Sequence, residues 1–199
     1  MRLKVPFYKQ AGASDCGPTS LKMILAYWGD PNTNLIDEKT KKMDENGLFM
    51  IELATLAASL DYQTDFYSVL FNQENLKPEF HKKCGDVNLE QIKRWVKNAK
   101  SMGMNIKEKP ISLEEILGVV TKKSIPIILL DWNVVTDKIG YGYLGHFVPI
   151  VGYDELDVLV HNSKLNDQRE FMPIPKNLFE EARKSEGIYS DVVVLHKMA

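Results

Sequence analysis

QAGASDCGPTSLKMILAYWG, residues Gln10 to Gly29, sets one of the chain's two cysteines between an aspartate and a Gly-Pro, just ahead of a run with helical spacing. Leu21, Ile24, Leu25 and Trp28 recur at three- and four-residue intervals, which is one face of a helix. Pro18 suits a first helical turn, where a missing N–H costs nothing. Gly29 stands where helices often close. The stretch therefore predicts a helix over 18–28 with Cys16 at its mouth. A cysteine attacks as its thiolate, and the partial positive charge of a helix N-terminus lowers a thiol pKa. An isolated cysteine is more often a small buried apolar residue. Cys16, however, precedes the apolar stripe, and Asp15 and Gly17 beside it are poor core formers. It reads as a nucleophile, and a nucleophile needs a base.

Four histidines are available: His81, His146, His161 and His196. His81 sits in a lysine-rich stretch, and His196 reads as an exposed tail residue. His146 and His161 lie in one expected hairpin, strands 146–153 and 156–162 around a turn at Asp154. A three-residue loop centred on Asp154 sets His146 opposite Asn162, where directly opposed side chains share a face with Cβ atoms roughly 5 Å apart. The Asn162 carbonyl then fixes the imidazole tautomer and leaves the other ring nitrogen for Cys16. Asp154 is roughly 26 Å down the strand at 3.3 Å per residue and cannot serve. A slip of one residue would instead set His161 or Ser163 against His146. Gln10, six residues before the thiol, supplies an amide donor for a developing oxyanion beside the Cys16 backbone N–H.

The chain is 199 residues long with 44% apolar and 10% aromatic content, enough for one domain with a real core. A formal charge of −2, from 25 basic and 27 acidic residues well mixed, favours neither nucleic acid nor an anionic membrane as partner. The first residues carry no apolar signal segment, and no run approaches the ~20 residues of a membrane span. A cytoplasmic protein with free Cys16 and Cys84 is the expectation. Helical patterns dominate up to about residue 122, including LFMIELATLAASLDY, NLEQIKRWVKNAKSMG and SLEEILGVVTKK, the last with a capping box at Ser112 and Glu115. A short strand is expected at 64–70. Beyond 123, IPIILLDW, HFVPIVGY, LDVLVHN and IYSDVVVLH read as strands and PIPKNLFEEARK as a helix. That order predicts an α+β fold with an antiparallel sheet, in one domain of a helical half (1–122) and a sheet half (123–199). Pro149 inside its strand calls for an edge or a bulge.

GYGYLG, residues 140–145, matches a dinucleotide-binding pattern in letters only, because a strand follows it where a helix is required. It reads as a loop beside His146, able to gate the site; Trp132 and Asn133 stand near it in sequence. HKKC, from His81 to Cys84, has metal-like spacing with no second cluster to answer it, so no metal is expected. No cofactor is expected either.

Taken together, VPFYKQ, SDCGPTSLKMILAYWG and GHFVPIVGYDELDVLVHNS resemble the peptidase C39-like group of papain-fold cysteine peptidases. The likeness covers roughly the first thirty residues and 125–165. It implies a thiol acyl-transfer site with Cys16 as nucleophile, His146 as base and acid, Asn162 as orienting group and Gln10 as oxyanion donor. The family usually places Asp where Asn162 stands. The implied activity is a cysteine peptidase or amidase working through a thioacyl-enzyme on a peptide or amide substrate. The alternatives are an acyltransferase or transglutaminase-like enzyme with the same residues, and a silent peptide-binding module.

Overall fold

The structure is a computed structural model that describes residues 1–31, 33–40, 47–69, 89–138, 140–185 and 190–197, with only the main chain of Ile92. Among these, helices α1 (Cys16–Tyr27), α2 (Thr33–Thr40) and α3 (Met50–Ala58) come first. Then follow β1 (Gln63–Tyr67), α4 (Leu89–Ser101), β2 (Asn105–Lys107), α5 (Leu113–Gly118), β3 (Ser124–Asp131) and α6 (Trp132–Val135). The chain continues through β4 (Gly145–Tyr153), β5 (Asp157–Asn162), β6 (Arg169–Pro175), α7 (Lys176–Lys184) and β7 (Val192–His196). The class is α+β, as the order of patterns predicts.

One seven-stranded sheet runs β2-β1-β7-β3-β4-β5-β6. Its pairings are antiparallel except β1 with β2, so the sheet is mixed rather than wholly antiparallel. Both strands of the parallel pair come from the mainly helical first part, and α4 provides the crossover that parallel neighbours need. His196 is the last residue of β7, opposite Gln63 and Ser124, rather than part of a free tail. β6 is an edge strand carrying Pro173 and Pro175, where missing N–H groups leave no interior ladder broken. The Ser112 capping box forms: its hydroxyl accepts from the Glu115 N–H at 3.1 Å, and the Glu115 carboxylate accepts from the Ser112 N–H at 2.8 Å.

Helix α1 packs on β4, with α2 and α3 alongside. Leu21, Met23, Ile24 and Leu25 are fully buried, so the helix is wrapped by protein well beyond one face. Gly17 permits its close approach, because a Cβ there would stand 3.0 Å from a ring carbon of Phe147 on β4.

Residues 1–10, which carry no periodic signal, form a strap across the sheet. The strap takes up the β4 edge beyond the end of the β3 ladder: Leu3 N–H donates to Val151 O at 2.7 Å, and Tyr153 N–H donates to Met1 O at 2.9 Å. A Cβ on Gly152 would stand 2.9 Å from the Cα of Arg2 and closer still to the Met1 carbonyl oxygen. Further along, His161 Nε2 donates to Val5 O at 2.9 Å while its Nδ1 accepts from Phe171 N–H at 3.1 Å. That fixes one tautomer and makes His161 the pin between strap, β5 and β6. Gly152→Ala is expected to destabilise the protein by about 1–3 kcal/mol through backbone displacement. Urea unfolding measures it, and an unchanged midpoint would show that the strap contributes nothing there.

Candidate functional site

Cys16 opens α1, but not as an exposed thiol. Its side chain is buried against β4. Ser20 ties the two elements together, its hydroxyl lying 2.8 Å from Cys16 O and 3.3 Å from Phe147 O. The backbone amides of Phe147, Gly17 and Cys16 itself face the sulfur and favour the thiolate, as does the charge of Lys164. Burial is the larger influence and pushes the thiol up from its ordinary value. The simple expectation from the helix end is therefore reversed: desolvation outweighs the surrounding amides and Lys164.

His146 lies one residue before Phe147 on β4 and is almost wholly buried. Its Nε2 stands 2.9 Å from Asn162 Oδ1. The route to this contact differs from a plain hairpin. The turn runs from Asp154 to Asp157, with Asp154 Oδ1 accepting from the Leu156 and Asp157 N–H groups at 2.9 and 2.8 Å. It pairs Tyr153 with Val158 and Gly152 with Leu159, a register that would turn His146 away from Asn162. A bulge at Val151 inserts one residue, and Ile150 then faces Val160. That restores parity, and the imidazole reaches diagonally to the asparagine. Pro149 sits at the hand-over, at the last pair of the β3–β4 ladder and just before the β4–β5 ladder resumes, not on a sheet edge.

Trp132 packs edge-on against the His146 ring, with centroids 4.6 Å apart. Burial pushes His146 down to about 4, with Lys164 adding to the effect; the Asn162 hydrogen bond and the charge of Asp167 act in the opposite direction. At neutral pH the imidazole is thus uncharged. With its value raised by burial, the Cys16 thiol is likewise uncharged at neutral pH.

Gln10 is buried in the loop before the thiol. Its Nε2 donates to Gly12 O at 2.8 Å and to Ala13 O at 3.1 Å, so both amide hydrogens are committed to the loop. Its Oε1 accepts from the Ser163 hydroxyl at 3.2 Å, and its backbone N–H donates to Ser163 O at 3.3 Å. Donation to an oxyanion would require one loop bond to open. As placed, Gln10 ties the loop before Cys16 to Ser163, the residue after Asn162. Asp15 Oδ2 also accepts from Gly12 N–H within that loop.

The glycine-containing loop ahead of His146 is tied to α6 rather than free. Asn133 Nδ2 donates to Gly142 O at 2.8 Å, Asp131 Oδ1 accepts from Leu144 N–H at 3.2 Å, and Trp132 N–H donates to Leu144 O at 2.7 Å. Tyr141 at its tip is 82% exposed. Two residues that belong to no sequence motif, Lys164 and Asp167, also act on the site. No periodicity marks them; only the fold of the β5–β6 turn brings them there. His81 and Cys84 lie outside the described residues. Among the described residues no three His, Cys, Asp or Glu side chains converge as a metal site, and no helix is long and apolar enough to cross a membrane. A cavity of about 430 Å³ lies beside the first turn of α1, lined among others by Phe7, Lys9, Asp15, Pro18 and Thr19.

The fold is that of the C39-like, papain-fold cysteine peptidases. A C39-like peptidase from Bacillus anthracis superposes with a TM-score of 0.58 at 16% identity, over 98% of this chain and 96% of that one. A double-glycine-motif protease from an AMS/PCAT transporter, solved with its leader peptide, gives 0.54 at 15% identity over 99% and 94%. The peptidase domain of Streptococcus ComA gives 0.54 at 12% identity over 98% and 99%. By sequence, the chain belongs to the guanylylate cyclase family, which it matches over residues 5–195. Guanylyl cyclase 1 of Arabidopsis thaliana is 24% identical over 214 residues, covering 98% of this chain and 76% of the relative.

Proposed function

We propose that the protein is a thiol-dependent amide hydrolase that cleaves a peptide or related amide through a thioacyl-enzyme on Cys16. The observation that carries this reading is the buried His146–Asn162 pair at 2.9 Å, on a strand whose next residue presents its backbone amide to the Cys16 sulfur. In the reaction, His146 Nδ1 takes the thiol proton as the sulfur attacks the carbonyl carbon. Asn162 holds the ring with Nε2–H toward its own oxygen, so that Nδ1 is the free base. The same proton then passes to the leaving amine, and water, deprotonated by the ring, releases the acid. The Cys16 backbone N–H faces the developing oxyanion, with Gln10 as second donor once its loop bond opens.

Because the resting thiol is neutral and buried, iodoacetamide should label Cys16 slowly, whereas a peptidyl electrophile, bound as a substrate would be, should label it fast. Intact-mass analysis with a peptidyl acyloxymethyl ketone is expected to show one adduct on Cys16, reduced at least about tenfold in His146→Ala. Equal labelling of Cys84, or indifference to His146, would refute the mechanism. The family and its Arabidopsis relative are named for a second activity, cyclisation of a guanine nucleotide. Incubation with GTP tests that reading: a cyclic product formed equally well by Cys16→Ala would favour it over thiol chemistry.

A further inference from the structure

Asn162 is a neutral group in a position where a carboxylate would stabilise an imidazolium better, and the structure shows what stands behind it. Residues Lys164 to Asp167 form a tight turn, with Asp167 N–H donating to Lys164 O at 3.1 Å and Asn166 in the left-handed region at φ 66°. The turn folds Asp167 back over Asn162. Asn162 Nδ2 donates to the Asp167 main-chain carbonyl and, at 3.2 Å, to its carboxylate oxygen Oδ2. Asn162 Oδ1 accepts from Lys164 N–H at 3.0 Å as well as from His146. Backbone groups of the turn thus fix which way the amide points. The side chain of Asp167 adds something different: a charge at the end of a continuous chain from imidazole to amide to carboxylate.

We propose that Asp167 is a positioning residue of the thiol site, its carboxylate polarising Asn162 and supplying through it the negative charge that the third member lacks. The inference deepens the reading of Cys16 and His146 as a reacting pair. It concerns the step in which the ring takes the thiol proton, because only then does a cation form for the carboxylate to stabilise. Arg169 holds the other oxygen of the same carboxylate, with Nη2 at 2.7 Å and Nε at 3.0 Å from Oδ1. It is exposed, and it damps the charge. The charged groups acting on His146 are therefore Lys164 and Asp167 from the turn, with Arg169 behind Asp167. Lys164 opposes the imidazolium, Asp167 favours it, and Arg169 weakens the help.

The test is a four-variant cycle read by NMR on the histidine ring of the full chain: wild type, Asp167→Asn, Arg169→Gln and the double variant. Arg169→Gln releases the carboxylate charge and should raise the His146 titration midpoint from its low starting value by about half to one pH unit. Adding Asp167→Asn, which keeps the side chain's shape and an acceptor oxygen, should cancel most of that rise. Equal midpoints in Arg169→Gln and the double variant would overturn the proposal. A merely structural role predicts equal midpoints too, since the backbone bonds to Asn162 survive. If a substrate is turned over, kcat should fall about tenfold in Asp167→Asn with KM unchanged, and Asp167→Glu should restore part of it. The NMR result does not depend on turnover: a shift that follows Asp167 in a protein without amidase activity would support this inference while removing the proposed function.

Discussion

Cys16→Ala is expected to lower amide turnover by about four orders of magnitude or more, with the fold retained. No other group can replace a nucleophile that forms the covalent intermediate, so only substrate binding and the oxyanion donors remain to accelerate attack by water. His146→Ala should lose nearly as much, because the buried sulfur rests as a thiol and, in the proposed mechanism, gives its proton to the ring. Asn162→Ala should lose about one to two orders, the range set by leaving a buried ring N–H and the Lys164 N–H without their acceptor. The losses should not multiply: Cys16→Ala with His146→Ala should be no worse than either alone, since the two act as one unit. The pH profile carries a further sign. With His146 pushed down to about 4, the base stays unprotonated through the neutral range, so the acid limb of kcat/KM should fall near pH 4 and not near 6 or 7. Losses that multiply, or a single variant within tenfold of wild type, would show that the thiol and the ring do not act together.

Much of this arrangement is legible in the amino-acid order alone. The α1 stripe, the Ser112 box and the apolar runs of the strands beyond 123 are local signals, and local signals survive folding. The placing of His146 against Asn162 is legible too, but for an incomplete reason. The four residues 154–157, in place of the expected three-residue loop, would by themselves turn His146 away, and the bulge at Val151 compensates for it. Neither departure marks the sequence, because β4 is a nearly continuous buried run in which one extra residue leaves no trace. β6 gives no strand signal because its two prolines read as breakers, and only the edge position makes them harmless. β2, three residues long, is too short for any period to show.

The balance of burial against polarity at a point is not written in the residue order. Asp15, Cys16 and Gly17 read as surface, yet the sulfur is buried, and its desolvation outweighs the Phe147 amide and the other groups that favour the thiolate. Gln10 stands at the right interval from Cys16, but the interval says nothing of where its amide hydrogens go. They go to Gly12 and Ala13. Lys164 and Asp167, which pull His146 in opposite directions, reach it only because Asn166 adopts a left-handed conformation in the turn between them.

A second large effect is expected away from the site. Asp191, just ahead of β7, is buried with its Oδ1 unpartnered, while the Ser68 hydroxyl bonds to the carboxylate. Burial pushes its carboxyl up to about 7, against an ordinary value near 3.8, and the Ser68 bond offsets only part of this. Between those two pH values the folded chain keeps a proton that the unfolded chain releases. Stability contributed by this group therefore falls as pH rises from about 4 to about 7, by about 4 kcal/mol in all, and changes no further above that. His146 contributes with the opposite sign: its lowered pKa makes the unfolded chain the better proton binder between about 4 and 6.5, so its term rises with pH over nearly the same window. The two slopes oppose each other in the wild-type curve, so a variant is needed to isolate either. Asp191→Asn removes only the first. It keeps an acceptor for Ser68 and stays neutral at every pH, so urea unfolding should find it close to wild type at pH 4 and more stable by a few kcal/mol at pH 8. A difference between the two proteins that stays constant from pH 4 to pH 8 would mean that Asp191 titrates alike in the folded and unfolded chains.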